Sequence, residues 1–499
     1  MQNAGDLDAA IALTRFGLGA RPGERVSIAA DPRGWLEAQV RPGGAPNPPG
    51  AFTASAERMQ QFLAYQRESG QVRQARRETG AATPTNDGDA SMNDPAAEAA
   101  LEARRDSRRA LTLDTAQEFL ARARLGVMTE AGFAERWALF WANVFTASAT
   151  KFQSAIFMGQ YEREAIRPHV FGRFEDLAVA ADQHPAMLLY LDQARSTGPN
   201  SQAGRRRDAG LNENLAREAL ELHTVGADGG YTQADVTEFA RALTGWSVPG
   251  ARDEAMGGAG GRQGRGRGGP RRAALAVEPG ANGFVFRAIL HEPGERTVMG
   301  RRHGEGGVEQ GEAILRDLAN RPQTARRMAR RIAAHFVADQ PPPSLVARLE
   351  QAWTGSGGDL SVVARALIAA PEAWAPQAAK IKTPYEFIVS THRALGTTPD
   401  RIEPLRQALL QMGQPMFAAP SPEGWPDTAD DWAGPDALVK RLNWAKAVGE
   451  RSGAGDPEAL AAAALGPRLG ERARLMIARA ESRAEAMTLF LMSPEFQRR

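Results

Sequence analysis

The helical spacing of apolar residues is the feature that most constrains this chain. Apolar side chains recur at i, i+3 and i+4 along most of its length, which is typical of helices with one buried face. This spacing predicts helices over residues 8–16, 116–124, 133–144, 323–337, 384–395 and 436–448. Strand signals are scarce, and residues 283–290 and 296–299 suit one hairpin that turns at Pro293 and Gly294. The sequence therefore predicts a mainly α architecture with a small β-hairpin.

Composition and charge narrow the classes of protein. Hydrophobic residues make up 42% of the chain and charged residues 24%, which is typical of a soluble globular protein. No run of about 18 apolar residues occurs, so no membrane span is expected. The net charge of +2 gives no reason to expect a specific nucleic-acid partner. The absence of cysteine excludes thiolate nucleophiles and Cys-based metal sites, and the first residues lack the pattern of a signal peptide.

Two segments look like insertions. Residues 68–109 are polar and contain a tract with too few large apolar side chains to pack, so a loop between helices is predicted there. Residues 250–272 are rich in Gly and Arg. Such tracts bind RNA in some proteins through charge and Arg stacking. This one has no interleaved Phe or Tyr and occurs once, which favours a flexible linker.

Charged and amide side chains are concentrated over residues 212–246, which form the best candidate for a functional site. A regular helix is predicted to begin at Asn212 or Asn214 and to end at Gly226. At about 100° per residue, one face of this helix carries Asn214, Arg217, Glu218 and Glu221. Two close carboxylates move each other's pKa apart, which places an acid beside a base, while Arg and Asn position a substrate.

The same face also has a structural interpretation. Glu213, Arg217 and Glu221 follow one another at i, i+4 spacing, as in a salt-bridged surface that faces solvent. His223 projects among the apolar residues of the last turn, where an imidazole can meet free carbonyl groups. A metal site that combines Glu218, Glu221 and His223 is geometrically awkward on one regular helix. Spacing alone favours the structural interpretation over the functional one.

A specific resemblance begins at Asn212 with the run NENLAREALELHTVGADGGYTQADVTEFARALTGW, which is similar to the central signature of the bacterial domain of unknown function 1800 family. Other segments agree in order, namely ALTRFGLGARPGE, IRPHVFGRFEDL, HPAMLLYLD, KIKTPYEFIVSTHRALG, GWP and RLNWA. The resemblance covers nearly the whole chain and implies one large multi-helical domain over residues 1–499. It implies no activity, because the family is named for having no assigned function. Relatives often look exported, which leaves the localisation open.

The resemblance also draws attention to two positions. Members commonly carry His in a segment of the form W-x-N-H-F, where this chain has Val144. If that His is a ligand or a base in relatives, this chain lacks it. His291 matches a position where the family usually shows His followed by an acid. Of the tryptophans, Trp246, Trp425 and Trp432 suit either a cleft for a flat ligand or the core.

The first functional hypothesis is a hydrolase or lyase that acts on a cell-envelope polymer. Its acid–base residues are expected to be Glu218, Glu221 and His291, with His291 approaching the two carboxylates from a separate element. Its substrate-binding residues are expected to be Asn214, Arg217 and Trp246. No G-x-S-x-G or P-loop motif is present, so serine-hydrolase and P-loop chemistry are not expected.

Two other classes of function stay open. One is a non-enzymatic binding or assembly protein with a polymer or protein partner, in which the polar stripe is only scaffolding and an exposed apolar patch is expected. The other is a metal-dependent enzyme that uses Glu221, His291 or His303 from separate elements. The sequence identifies no cofactor.

Overall fold

Helices dominate the structure of this protein, which is a computed structural model. The structure describes residues 4–78, 95–206, 210–250, 280, 282–453 and 455–499. Within these residues, the paired strands form only two small antiparallel sheets. The prediction of a mainly α fold is therefore confirmed. No helix in the described ranges combines the length and apolar content needed to cross a membrane.

The helices fall into two groups, before and after the strands. The first group is α1 (Ala4–Ile11), α2 (Glu24–Ile28), α3 (Pro32–Glu37), α4 (Ser55–Glu78), α5 (Pro95–Met128), α6 (Gly132–Val144), α7 (Phe152–Ala155), α8 (Met158–Gln160), α9 (Phe174–Gln183), α10 (Pro185–Tyr190), α11 (Asn214–Glu218) and α12 (Gln233–Leu243). The second group is α13 (Val308–Ala319), α14 (Pro322–Phe336), α15 (Pro343–Ser356), α16 (Leu360–Ala369), α17 (Pro384–Leu395), α18 (Ile402–Gln411), α19 (Ala429–Trp432), α20 (Pro435–Arg451), α21 (Pro457–Leu465), α22 (Glu471–Ala478), α23 (Arg483–Met492) and α24 (Pro494–Gln497).

Turns with wider or tighter winding join several of these helices. The π-helical turns are Ala12–Phe16, Tyr161–Ile166 and Ala219–His223. The 3₁₀ turns are Arg167–His169, Gln193–Arg195, Gly204–Arg206, Ala288–Leu290, Pro371–Trp374 and Gly466–Arg468. The helices predicted at 133–144, 323–337, 384–395 and 436–448 correspond to α6, α14, α17 and α20.

A small hairpin exists, but its strands are not the predicted pair. Strand β1 (Trp246–Ser247) pairs with β2 (Val285–Phe286), and β3 (Arg296–Val298) pairs with β4 (Arg301–His303). The predicted turn at Pro293 and Gly294 is therefore wrong. The chain reverses instead at Met299 and Gly300, which both have positive φ, 47° and 77°. Two residues of positive φ give the turn whose twist matches that of antiparallel strands.

The described part of the predicted loop at 68–109 is helical, which corrects that prediction. It continues α4 to Glu78 and starts α5 at Pro95, while residues 79–94 lie outside the described residues. These ends are rich in Ala, Glu, Gln and Arg, which are strong helix formers, and α4 packs against α5. The tract at 251–272 also lies outside the described residues. That these segments are insertions, and that residues 1–499 form one domain, stay predictions.

Helix α6 lies at the centre of the packing. Its aromatic side chains Phe133, Trp137 and Trp141 are fully buried in one apolar cluster that extends from Ala9 to Phe496. Two charged residues of α6, Glu135 and Arg136, are buried as well. Buried charges persist when they are paired, and both of these are. Arg167 donates two hydrogen bonds to Glu135, at 2.7 and 2.9 Å, and Arg136 pairs with Glu386 of α17.

Helix α17 is fixed at both ends by its own sequence. Thr383 and Glu386 form a capping box at its start, with Pro384 in the first turn. Gly396 ends the helix at a φ of 63°, a conformation that favours glycine. The helix also contributes Arg393, a fully buried residue that donates to Gly19 O at 2.6 Å and to Glu24 Oε2 at 2.8 Å. Arg393 therefore ties α17 to the N-terminal segment.

We expect Arg393→Gln to lower the free energy of unfolding by about 3 to 5 kcal/mol, because it removes the buried partner of the Glu24 carboxylate and leaves only the more exposed Arg21, at 3.4 Å. Arg406→Gln serves as the control, since Arg406 pairs with Glu403 on the exposed surface and such pairs contribute at most about 1 kcal/mol. Urea denaturation of the three proteins measures both values. Equal midpoints for Arg393→Gln and Arg406→Gln would contradict the structural role of Arg393.

Candidate functional site

The stripe predicted on residues 212–226 does not lie on one regular helix. Helix α11 ends at Glu218, and a π-helical turn continues from Ala219 to His223. Thr224 Oγ1 donates to Ala219 O at 2.5 Å, and Gly226 N donates to Leu220 O at 2.9 Å. The predicted regular helix to Gly226 is therefore wrong. The residues after Glu218 point in directions that a regular helical wheel does not give.

The altered winding carries His223 into the core. Its ring is fully buried, and Nδ1 lies 2.9 Å from Asp182 Oδ1 of α9. Phe145 packs against this ring with centroids 5.0 Å apart, and Val144 is fully buried as well. His223 thus pairs with a buried carboxylate rather than with the carbonyl groups at a helix end.

The polar stripe forms a half-exposed network between α11 and α12. Arg217 lies between Glu213 and Glu221, at 3.4 and 3.6 Å. Tyr231 donates its hydroxyl to Glu221 Oε1 at 2.5 Å, and Thr237 donates to Glu213 Oε1 at 2.7 Å. These contacts join neighbouring helices through partly exposed groups, as the structural interpretation of the stripe expects.

Glu218 and Asn214 differ in burial. Glu218 is half-buried, and burial together with the charge of Glu221 raises its pKa, while His223 and Arg217 oppose this shift. Asn214 is exposed, and its backbone N–H donates to Asn212 Oδ1 at 2.9 Å. One carboxylate of the stripe thus has the raised pKa expected of an acid.

The structure does not join His291 to the stripe by direct contacts. His291 Nδ1 donates to Thr244 O at 2.8 Å, and its ring packs edge-on to Phe286. Over the described ranges, no hydrogen bond or ion pair links His291 to Glu218 or Glu221. Trp246 is fully buried in β1 and packs against Phe284, so it belongs to the core rather than to a binding surface.

His303, the other histidine considered for a metal, is buried in β4, and burial lowers its pKa. In the part of the chain that the structure describes, no group of three or more His, Asp or Glu side chains is arranged to hold a metal ion.

A second polar site, which the sequence analysis did not select, lies in a cavity between α5, α6, α14, α17 and the 414–427 segment. The cavity offers about 120 Å³ of space to water-sized molecules. Its polar lining residues include Arg122, Asn143, His335, Tyr385, Gln414 and Asp427. Concave sites with a few converging polar groups are the usual places for ligands.

His335 and Asp427 form a hydrogen-bonded pair on the wall of this cavity. The distance from His335 Nδ1 to Asp427 Oδ2 is 2.7 Å. Only 13% of the His335 side chain is exposed, and burial lowers its pKa to about 4 against the opposing effect of Asp427. The imidazole is therefore neutral at pH 7. Nδ1 then carries the proton that it donates to Asp427, and Nε2 is left with a lone pair and no protein partner.

Asp427 is held charged by three cationic or donor groups. Burial acts to raise its pKa, but His335, Arg499 and Lys380 outweigh burial and hold the pKa below its ordinary value. Lys380 Nζ lies 3.4 Å from Asp427 Oδ1 and also donates to the backbone carbonyl of Asp427. A charged carboxylate at Nδ1 fixes the tautomer and the orientation of His335.

The loop that carries Asp427 is attached to the end of α6. Asn143 Nδ2 donates to Trp425 O at 2.9 Å, and Trp425 N donates to Asn143 Oδ1 at 2.7 Å. Gly424 has a φ of 95°, and a Cβ at this position would lie 2.6 Å from Asn143 O. Only glycine permits this close approach, so Gly424 and Asn143 together place Asp427 beside His335.

Three sequence runs converge on this cavity. The W-x-N segment contributes Asn143, the run KIKTPYEF contributes Tyr385, and GWP contributes Trp425, followed by Asp427. Each of these runs belongs to a segment that carries the family resemblance, and this is the signal in the sequence that could have drawn attention to them. The site was missed because the runs are far apart in the chain and none resembles a known catalytic motif by itself.

A further Ser–His–Glu arrangement proves to be structural. Ser55 Oγ lies 3.0 Å from His184 Nε2, and Glu164 Oε2 lies 3.7 Å from the same nitrogen. Ala186 N donates to His184 Nδ1 at 3.2 Å, so the proton of the neutral ring is on Nε2. That nitrogen cannot act as a base toward Ser55. His184 is instead the N-cap of α10.

Comparison with known proteins identifies the family of this chain. A family model described as protein of unknown function (DUF1800) matches residues 11–498, and the chain belongs to this family. Neither the search of curated proteins nor the search of solved structures found a match.

We expect Gly424→Ala to destabilise the protein by about 1 to 3 kcal/mol more than Gly413→Ala, which is the typical cost of forced overpacking. Gly413 is the matched control because its φ is also positive, 87°, but nothing lies within 4 Å of its added Cβ. Denaturation in urea gives both values. Equal losses would show that the loop does not need glycine for its contact with Asn143.

We also expect that lowering the pH destabilises the wild type more than it destabilises the His335→Gln variant. In the folded state His335 is neutral down to a pH of about 4, whereas an unfolded histidine binds its proton near a pH of about 6.5. Between these values the unfolded state binds more protons, so this contribution to stability is lost as the pH falls through this range. Free energies of unfolding at pH 7 and 4.5 test this. The same pH slope in both proteins would contradict a neutral, buried His335.

Proposed function

We propose that this member of the DUF1800 family is a hydrolase or lyase that works by general acid–base chemistry, with His335 as the base. The observation that carries this proposal is the pair of His335 and Asp427 on the cavity wall, 2.7 Å apart, with Nε2 buried and without a hydrogen-bond partner. A histidine oriented by a carboxylate is a recurrent arrangement for proton transfer.

The chemistry follows from the protonation states. Protein atoms cover Nε2 in this structure, so the cavity wall must open at His335 before the reaction. Neutral His335 then accepts a proton at Nε2, either from a water molecule that attacks the substrate or from a carbon beside the bond that breaks. The imidazolium that forms lies against the charged Asp427, which lowers its energy. The same Nε2 then returns the proton to the leaving group, so the enzyme ends in its starting state.

Tyr385 supports this chemistry as a hydroxyl donor. Burial raises the pKa of Tyr385, which keeps the phenol protonated at neutral pH. Its hydroxyl makes a long hydrogen bond, 3.4 Å, to Arg122 O. We infer that a substrate oxygen replaces this weak contact and receives the hydrogen bond. The cavity volume of about 120 Å³ suits a small molecule or the terminal group of a polymer.

A binding or assembly role is the second candidate function. Three apolar side chains of α20, Leu438, Val439 and Leu442, are exposed, and Val439 is 55% accessible. Exposed apolar groups on one helix favour contact with another protein. In that case turnover is absent, and a His335 variant behaves like the wild type.

We expect His335→Gln to lower kcat/KM by about 100- to 10,000-fold on any substrate that the wild type cleaves, which is the usual contribution of a general base. Soluble carboxylic esters, amides, glycosides and β-substituted acids serve as the panel, with release followed by absorbance. Activity is expected to fall as the pH approaches the His335 pKa of about 4, because the base becomes protonated.

His392→Gln provides the matched control, because this histidine of α17 bonds to Thr397 outside the cavity. Glu218→Gln separates the two candidate sites. Loss of activity in Glu218→Gln with full activity in His335→Gln would assign the chemistry to the stripe and reject the cavity. Absence of turnover for the whole panel would favour the binding role.

A further inference from the structure

Arg122 of α5 lines the same cavity and is held in a cage of three aromatic rings. Its guanidinium carbon lies 5.3 Å from the ring centre of Phe119, 4.6 Å from that of Tyr385 and 5.5 Å from that of Phe417. Only 15% of the side chain is exposed. Rings packed around a guanidinium attract its charge and restrict its plane, so the direction of its N–H groups is set in advance.

The two ends of this guanidinium differ in their partners. Nε lies 3.0 Å from Glu162 Oε2. In the described ranges, neither Nη1 nor Nη2 donates to a protein acceptor, and neither is among the nitrogens sealed from solvent. Two parallel N–H donors on a buried arginine match the two oxygens of a carboxylate.

The backbone around Arg122 also indicates a constrained site. Phe417, one ring of the cage, is a non-glycine residue with a φ of 53°. This conformation costs about 1 kcal/mol or more, and such residues cluster at ligand sites where the surroundings enforce them. Ala149 N donates to Phe417 O at 2.8 Å and secures the strained residue.

Charge balance favours a group with a single negative charge. Glu162 already balances Arg122, and Arg167 reaches Glu162 only at 3.8 Å. Glu162 would repel a dianion placed at the Nη atoms more strongly than a monoanion, because a monoanion adds only one negative charge. That one charge is offset when His335, on the same cavity wall, takes up a proton.

We propose that Arg122 binds a carboxylate of the substrate through its two Nη atoms, so that the substrates are small organic acids or polymer ends that carry a carboxylate. This assignment rests on the proposed function for its catalytic meaning, but the binding itself does not require turnover. Arg122 touches the substrate, whereas Phe119 and Phe417 position the Arg122 side chain.

The test compares butyrate with butyramide, which has nearly the same shape and no charge. Dissociation constants are measured by NMR titration of the full-length wild type, Arg122→Gln, Arg122→Lys and Arg109→Gln. Arg109 is an exposed residue of the same helix and serves as the control. We expect butyrate to bind the wild type at least tenfold more tightly than butyramide. We also expect Arg122→Gln to abolish this preference and Arg122→Lys to retain part of it, since lysine keeps the charge without the planar fork.

Equal binding of butyrate and butyramide to the wild type overturns the proposal, as does an unchanged preference in Arg122→Lys and Arg122→Gln. If Arg122→Gln does not fold, Arg122→Lys and the wild-type comparison decide. Displacement of butyrate by equimolar inorganic phosphate also contradicts a carboxylate site.

His335→Gln separates this proposal from the catalytic one. It is expected to bind butyrate within threefold of the wild type, because His335 is not the anion ligand. If the wild type prefers butyrate and His335→Gln does not change turnover, the carboxylate site is supported and His335 is rejected as the base. Loss of turnover in His335→Gln without any butyrate preference does the reverse.

Discussion

The buried carboxylate of Glu386 is the interaction on which the candidate site depends. It receives Arg136 from α6 and Arg499 Nε at 3.1 Å, and its pKa is held well below the ordinary value although burial acts to raise it. Arg499 in turn donates to His335 O and lies 3.5 Å from Asp427 Oδ1. One carboxylate therefore connects α6, α17, α14 and the loop that carries Asp427. A charge in this position is tolerated only because each neighbouring cation is paired with it.

Burial also sets the chemical character of the site. The same removal of water that raises the free energy of a charged imidazole keeps His335 neutral, and therefore able to accept a proton, at pH 7. Tyr385, buried nearby, stays protonated for the corresponding reason. A base and a hydroxyl donor thus line one small cavity. The ion pairs of Glu386 and Asp427 offset the free energy that the burial of these charged groups costs.

The sequence analysis succeeded where interactions are local. Apolar spacing located α6, α14, α17 and α20. It failed at the π-helical turn after Glu218, because a wider turn depends on packing against α9 rather than on residue type. The strands were paired wrongly for a similar reason, since β1 and β2 are about 40 residues apart and their pairing is not a local property.

The sequence by itself determined the mainly helical fold, the positions of α6, α14, α17 and α20, and the run of polar residues that forms the stripe. These features depend on residues within a few positions of one another. Only the tertiary structure decided that His335 meets Asp427, 92 residues later, and that Arg122 meets Tyr385 and Phe417. The pKa of His335 was decided in the same way. It depends on the exclusion of water and on the charges of Asp427, Arg499 and Arg136 from three distant segments, and no local pattern of residues encodes either of these.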